Sequence, residues 1–160
     1  MSDFFTKTDL SRKDAESIIS ETLNNCDDGE LYLENSKSES IVLDDDKIKS
    51  SSYSSDLGYG LRAVTGEVVA YSHSNEISKK SLKQSANNLS STLKSQKGIY
   101  NHEIPQTNEK FYKDVNPIEE KSLQSKLDLL KEVNNYTRAK GGMVQQVTAS
   151  FAGEHKSIEI

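Results

Sequence analysis

The stretch Leu57-Gly-Tyr-Gly-Leu-Arg-Ala-Val-Thr-Gly-Glu-Val-Val-Ala-Tyr-Ser-His73 reads as two strands that turn at Thr65-Gly66. Leu57, Tyr59, Leu61 and Ala63 share one parity of the first strand. Val68 and Ala70 share a face of the second, and Val69 and Tyr71 take the other. Period-two alternation around a glycine turn is the sequence mark of a hairpin. Helical patterns flank it on both sides, so it is expected at the centre of a sheet. It contains no catalytic constellation.

Upstream, Ala15, Ile18, Ile19, Thr22, Leu23 and Cys26 recur at three and four residues, with Ser11 as N-cap and Asp14 in the first turn. This predicts an amphipathic helix ending before Asp27-Asp28-Gly29. Residues 30–43 alternate more loosely, with Leu31, Leu33, Ile41 and Leu43 on one parity and a polar middle that faces water or a wet cavity. Asp44-Asp45-Asp46 marks a hairpin tip. It lacks the spaced ligands and glycine of a calcium loop. Lys47–Asp56 is rich in serine around Ile48 and Tyr53, and its place between two strand signals makes it a polar strand continuing a meander.

Downstream, Ser74-Asn75 opens a second helix with Leu82, Ala86, Leu89 and Leu93 on one stripe and Ile77 near its start. A long connection is expected over 96–116. Asn116-Pro117 caps a third helix whose buried face is read as Leu123, Leu127, Leu130 and Val133, closed by Gly141-Gly142. Met143 to Phe151 alternate as a strand, Gly153-Glu154 reads as a turn, and Ile158 and Ile160 share a parity in a returning strand. Ending there leaves an apolar strand edge unprotected, which makes the chain look cut. The expected fold is α+β: an antiparallel, curved β-meander packed against amphipathic helices, with a further C-terminal strand or hairpin cut short. At 160 residues it is expected to be one domain, 1–160, with a frayed terminus at 1–7 whose Phe4 and Phe5 tuck onto the body.

Composition narrows the function classes. Hydrophobic residues are 33%, so the domain is polar-surfaced or buries part of itself against something else. A net charge of -5 with interspersed signs offers no basic face for a phosphate backbone, and no direct nucleic-acid contact is expected. No signal pattern opens the chain and no apolar run reaches the ~20 residues that span a bilayer, so a cytoplasmic protein without membrane contact is expected. The single cysteine, Cys26, reads as a packed core thiol. His73, His102 and His155 lie far apart, with no two-histidine zinc spacing. No serine sits in a G-x-S-x-G elbow. Gly58 and Gly60 begin a G-x-G that lacks its third glycine and its helix, and they read instead as relief of crowding or a bulge. Arg62, in mid-strand, reads as solvated or paired with a cross-strand carboxylate. The minority reading is a grip on a peptide carboxylate or a partner.

Gly58-Tyr59-Gly60-Leu61-Arg62-Ala63, then Gly66 and Ala70-Tyr71, resemble the N-terminal domain of the TldD/PmbA (TldE) family, zinc metalloproteases once described as modulators of DNA gyrase. The D-D-G-E-L-Y-L run at 27–33, E-S-I-V-L-D-D-D-K-I-K at 39–49 and V-Q-Q-V-T-A-S at 144–150 resemble the TldD branch. The resemblance covers nearly the whole chain. It implies zinc in the full-length family, held by an H-E-x-x-x-H helix and a distant cysteine in a C-terminal region that has no counterpart here. No catalytic or metal residue carries over, and the chain is expected to hold no cofactor and to be inactive alone. The implied role is assembly of a two-subunit particle and of the passage by which unfolded peptides reach the metal. The alternative is a stand-alone binding module. Expected partners are a PmbA/TldE-like subunit or a second copy, and unfolded peptide. Arg62, Tyr59 and Tyr53 are the candidate channel or peptide contacts.

Overall fold

The computed structural model describes residues 4–6, 8–93 and 115–160. Most of the 96–116 connection, together with His102, lies outside the described residues. The elements run α1 (Arg12–Leu23), β1 (Asp28–Asp44), β2 (Lys47–Thr65), β3 (Val68–Ser74), α2 (Lys79–Leu93), α3 (Pro117–Glu120), α4 (Leu123–Arg138) and β4 (Thr148–Glu159). The strands form a four-stranded antiparallel open sheet in the order β3-β2-β1-β4. The expected α+β meander is therefore present, with β4 added at the far edge.

Two compact units divide the chain. The first takes the described residues up to 35, 56–93 and 157–160, and the second takes 36–55 and 115–156. In the first, β2 and β3 pair from Tyr59↔Ser74 to Thr65↔Val68, with Gly66 at φ 59° opening the turn. That positive φ is where glycine is cheap. Ser11 caps α1 by accepting a 3.1 Å hydrogen bond from the Asp14 backbone N–H. The core joins α1 and α2 to the inward parity of the sheet: Ala15, Ile18, Leu31, Leu33, Tyr59, Leu61, Ala63, Leu82 and Leu89. Phe4 is buried and Phe5 packs against this core. Cys26 is buried as expected, just beyond the end of α1.

In the second unit, Ile41 and Leu43 of β1 meet Leu130 of α4 and Ala149 of β4, with Leu127 and Phe151 beside them. The β1–β2 turn holds Asp45 and Asp46 at φ 46° and 64°, the two positive values a type I′ turn requires.

Four expectations need correction. Lys47–Asp56 and the first strand of the hairpin are one strand, β2, since nothing in a serine run interrupts extended backbone. α2 begins at Lys79 rather than at Ser74-Asn75, because Ser78 accepts from the Ser81 N–H and provides the cap. The third helix is two: Lys121 is extended and Ser122 caps a new start by accepting from the Ser125 N–H. Its buried face is Lys126, Leu130 and Asn134, and Leu123 and Val133 are exposed. Finally, no turn forms at Gly153-Glu154. β4 begins at Thr148, five residues after Met143, and continues through Gly153 to Glu159.

Candidate functional site

In the first unit, Arg62 sits on the outward parity of β2. Its Nε donates to Glu30 at 3.0 Å and its Nη2 to Asp28 at 2.6 Å. These bonds, that to Asp28 foremost, raise the guanidinium pKa above its ordinary value. Arg62 is thus held by carboxylates of β1, the commoner of the two sequence readings. Tyr59, three residues earlier, points inward: it is 4% exposed, and its hydroxyl lies 2.9 Å from both Ser81 Oγ and Ser85 Oγ. Ser72 extends this buried hydroxyl chain by donating to Ser85 at 3.0 Å.

The glycines of the hairpin make room. A Cβ on Gly60 would meet Tyr71 Oη at 2.5 Å, and one on Gly58 would meet the Ser74 carbonyl at 2.8 Å. Tyr71 therefore lies across Gly60 on the outer face, stacked with His73 at a 5.8 Å centroid distance. Relief of crowding is the reading the geometry selects. On the other side of this unit, α1 and β1 border an apolar cleft of about 530 Å³ lined by Ala15, Ile19, Leu23, Leu31 and Leu33, with Arg12 at its rim. Sequence reasoning missed it, because each of those residues also reads as core.

Among the described residues, the second unit carries the most exposed strand segment. Every residue from Lys47 to Ser55 is exposed, so both faces of β2 are open to solvent there, and Tyr53 stands 58% exposed among serines. β3 pairs with β2 only over Tyr59–Thr65. Among the described residues, the outer edge of Lys47–Ser55 has no neighbouring strand. The structure therefore places Tyr53 in the second unit and Arg62 and Tyr59 in the first, the last two on opposite faces of one strand.

Polar contacts hold this unit together where apolar residues are few. Lys126 is 5% exposed and donates through Nζ to Glu39 Oε1 and, at 2.6 Å, to the Ile118 carbonyl, with the Phe151 ring 5.7 Å away. This ion pair stitches α4 to β1 beneath the α3–α4 break. In the sequence, Glu39 stands between Ser38 and Ser40 in a polar stretch and gives no sign of this pairing. At the hairpin tip, Asp44 accepts from Gln146 and Thr148, which lowers its pKa, and Asp45 accepts from Arg138 and from the Val147 N–H. The aspartates thus seat the start of β4.

Among the described residues no group of three or more His, Cys, Asp or Glu stands close enough to hold a metal. His73 is stacked on Tyr71, and Cys26 is buried. These residues do not fit a zinc centre. No helix among the described residues is long and apolar enough to cross a membrane.

Comparisons with known proteins agree with this architecture. Residues 29–92 match the family model for PmbA/TldA metallopeptidase domain 1. A protein of Buchnera aphidicola (subsp. Acyrthosiphon pisum), named a metalloprotease TldD homolog, is 35% identical over 133 residues, 82% of this chain and 28% of its own length. The chain spans 28% to 32% of the length of the curated relatives it matches. Among solved structures, a Bacteroides thetaiotaomicron protein named for modulation of DNA gyrase superposes with TM-score 0.59 at 19% identity, covering 92% of this chain and 38% of its own. TldE from Thermococcus kodakarensis gives 0.58 at 15% identity, over 91% of this chain and 34% of its own. These last two speak to the fold. The chain therefore belongs to the TldD/PmbA family through its N-terminal domain, and it fits the TldD branch.

Proposed function

We propose that this chain is a non-catalytic assembly and peptide-guiding domain of a cytoplasmic TldD-like metallopeptidase, and that unfolded peptide docks as an added strand along Lys47–Ser55. The observation that carries this reading is the exposure of that segment on both faces, together with an outer edge that has no neighbouring strand among the described residues. An extended peptide adds to such an edge through main-chain hydrogen bonds, which are blind to sequence. Short serine side chains leave its own side chains unselected. Tyr53 supplies a flat apolar contact, and Arg62, Asp28 and Glu30 shape the sheet in the other unit without touching the peptide. Tyr59 serves as a core anchor. The zinc chemistry of the family belongs, in this reading, to residues outside this chain, and no metal is held by the domain itself. Pairing with a PmbA/TldE-like subunit is the second reading, favoured by the likeness to TldE from Thermococcus kodakarensis.

The test is fluorescence anisotropy with a labelled, unstructured peptide. Successive N–H groups of a strand point to opposite edges, so of Ser51→Pro and Ser52→Pro one removes an outward donor and the other a donor to β1. Binding should be lost in the first with the fold intact, whereas the second should lower stability. Absence of binding in the parent chain, or equal binding in both folded variants, would overturn the proposal.

A further inference from the structure

The open segment Lys47–Ser55 is uneven in charge. Lys47 and Lys49 stand at its start, and no acidic or basic residue follows from Ser50 to Ser55. Both lysines are exposed, and the one ion pair that Lys49 makes, to Asp44 at 3.7 Å, leaves its side chain 64% exposed. Residues two apart project from the same face of a strand, so the two ammonium groups stand together, about 7 Å apart at their bases. The aspartates of the adjoining turn are largely directed elsewhere. Asp44 accepts from Gln146 and Thr148, and Asp45 from Arg138 and the Val147 N–H, all toward the start of β4 at the opposite edge of the sheet. Strand β2 begins at Lys47, directly after the turn residues Asp45 and Asp46. A strand added to this edge therefore runs out of main-chain partners where the lysines stand.

We propose that Lys47 and Lys49 capture the free carboxyl terminus of the docked peptide, which runs antiparallel to β2 with its last residues beside the two lysines. The inference rests on the docking of extended peptide at this edge put forward above, and it names the class of peptide: chains with a free carboxyl end. Charge sets the direction. A strand laid antiparallel on Lys47–Ser55 brings its carboxyl terminus to Lys47, a carboxylate against two ammonium groups. A strand laid parallel brings its amino terminus there instead, and the contact becomes repulsive. Antiparallel pairing is also slightly the more stable per residue, and β3 already runs antiparallel to β2 over Tyr59–Thr65. A terminal carboxylate suits the place better than an acidic side chain, because a chain that ends at Lys47 gives up no main-chain bond. The nine exposed residues span about 30 Å at roughly 3.3 Å each, so the segment holds the terminus and the stretch before it. The serines bind that stretch through its backbone without selecting its side chains, and the lysines add a polarity that main-chain bonding alone does not supply.

The test compares one uncharged Ser/Thr/Gly peptide, of about nine residues and labelled at its amino end, as free acid and as carboxamide, by anisotropy against the full chain at low salt. Exposed ion pairs are individually weak, so the acid should bind about three- to tenfold tighter than the amide, and the difference should close at roughly 0.5 M salt. With Lys47→Ser/Lys49→Ser, acid and amide should bind alike and the fold should be unchanged, since both side chains are exposed. Equal binding of acid and amide to the parent chain overturns the carboxyl capture and leaves the docking reading standing. No binding of either removes the docking reading, and the capture with it. A preference for the acid that survives in the folded double variant overturns the assignment to these lysines. A carboxamide with aspartate beside its end should remain weaker than the free acid, and equal binding would show that the site reads acidic side chains instead. A nitroxide near the peptide's carboxyl end should broaden the amide resonances of Lys47 to Lys49, and one near its amino end those of Ser54 and Ser55. The reverse pattern overturns the antiparallel direction.

Discussion

The same two strands, β1 and β2, run through both units, yet they are used in opposite ways. In the first unit β2 buries Tyr59, Leu61, Ala63 and Thr65 on one parity against α1 and α2, and β3 covers its edge. In the second, nine consecutive residues of β2 are exposed, and the core centres on a small cluster of Ile41, Leu43, Leu130 and Ala149, with the buried Lys126 in the same unit. The difference is local composition: alternating Leu, Tyr and Ala demand a helical layer, whereas serine demands nothing. A strand therefore need not bury a face to be a strand, provided another part of its length is anchored.

The largest effect should come from the weaker-cored unit. Lys126→Ala leaves Glu39 and the Ile118 carbonyl buried without their partner and should cost about 3 kcal/mol or more. Urea unfolding measures it, and Lys126→Met with Glu39→Leu should recover most of the loss. Leu61→Ala, at a fully buried site of the first unit, should cost about 3 kcal/mol by the same measurement. If Leu61→Ala proved far milder than Lys126→Ala, the first unit would not be the better-packed one.

Smaller effects sharpen the contrast at the surface. Asp46→Gly relieves a left-handed backbone at φ 64° and should stabilise by about 1 kcal/mol, seen as a raised Tm. Arg62→Ala should cost less than about 1 kcal/mol, because both carboxylate partners are exposed. The smallest is a pH effect in the first unit. Hydrogen bonds from Lys79 and Ser11 lower the Asp14 pKa from 3.8 to about 2. A depressed carboxylate contributes stability that is complete above the unfolded value and is lost as pH falls through the folded one. Acid titration of Asp14→Asn should therefore show a shallower loss between pH 3.8 and about 2 than the parent chain.

The hairpin at 57–73 was legible because alternation and a glycine turn are local signals, and Ser11 announced α1 for the same reason. The continuity of β2 was not, since a serine run gives neither periodicity nor a break and resembles a linker until its neighbours are known. Gly153 misled in the opposite sense: it reads as a turn, yet Ile118 at 3.5 Å is the nearest atom a Cβ there would meet, and the strand passes through it. The α3–α4 break hung on one capping serine, Ser122, inside a pattern that otherwise ran on. Lys126 could not be read as core because its burial depends on Glu39, 87 positions away in the chain. Of the candidate contacts, Tyr53 stands exposed among serines. Tyr59 turned out to be held in the core by Ser81 and Ser85.

The contrast between the two halves of β2 is tested most directly by backbone amide hydrogen exchange with and without an unstructured peptide. The amides of Lys47–Ser55 that face the open edge should exchange quickly in the free chain and gain protection with peptide, while Tyr59–Thr65, already paired to β3, should not change. Protection that appears only elsewhere, or none at saturating peptide, would contradict the account.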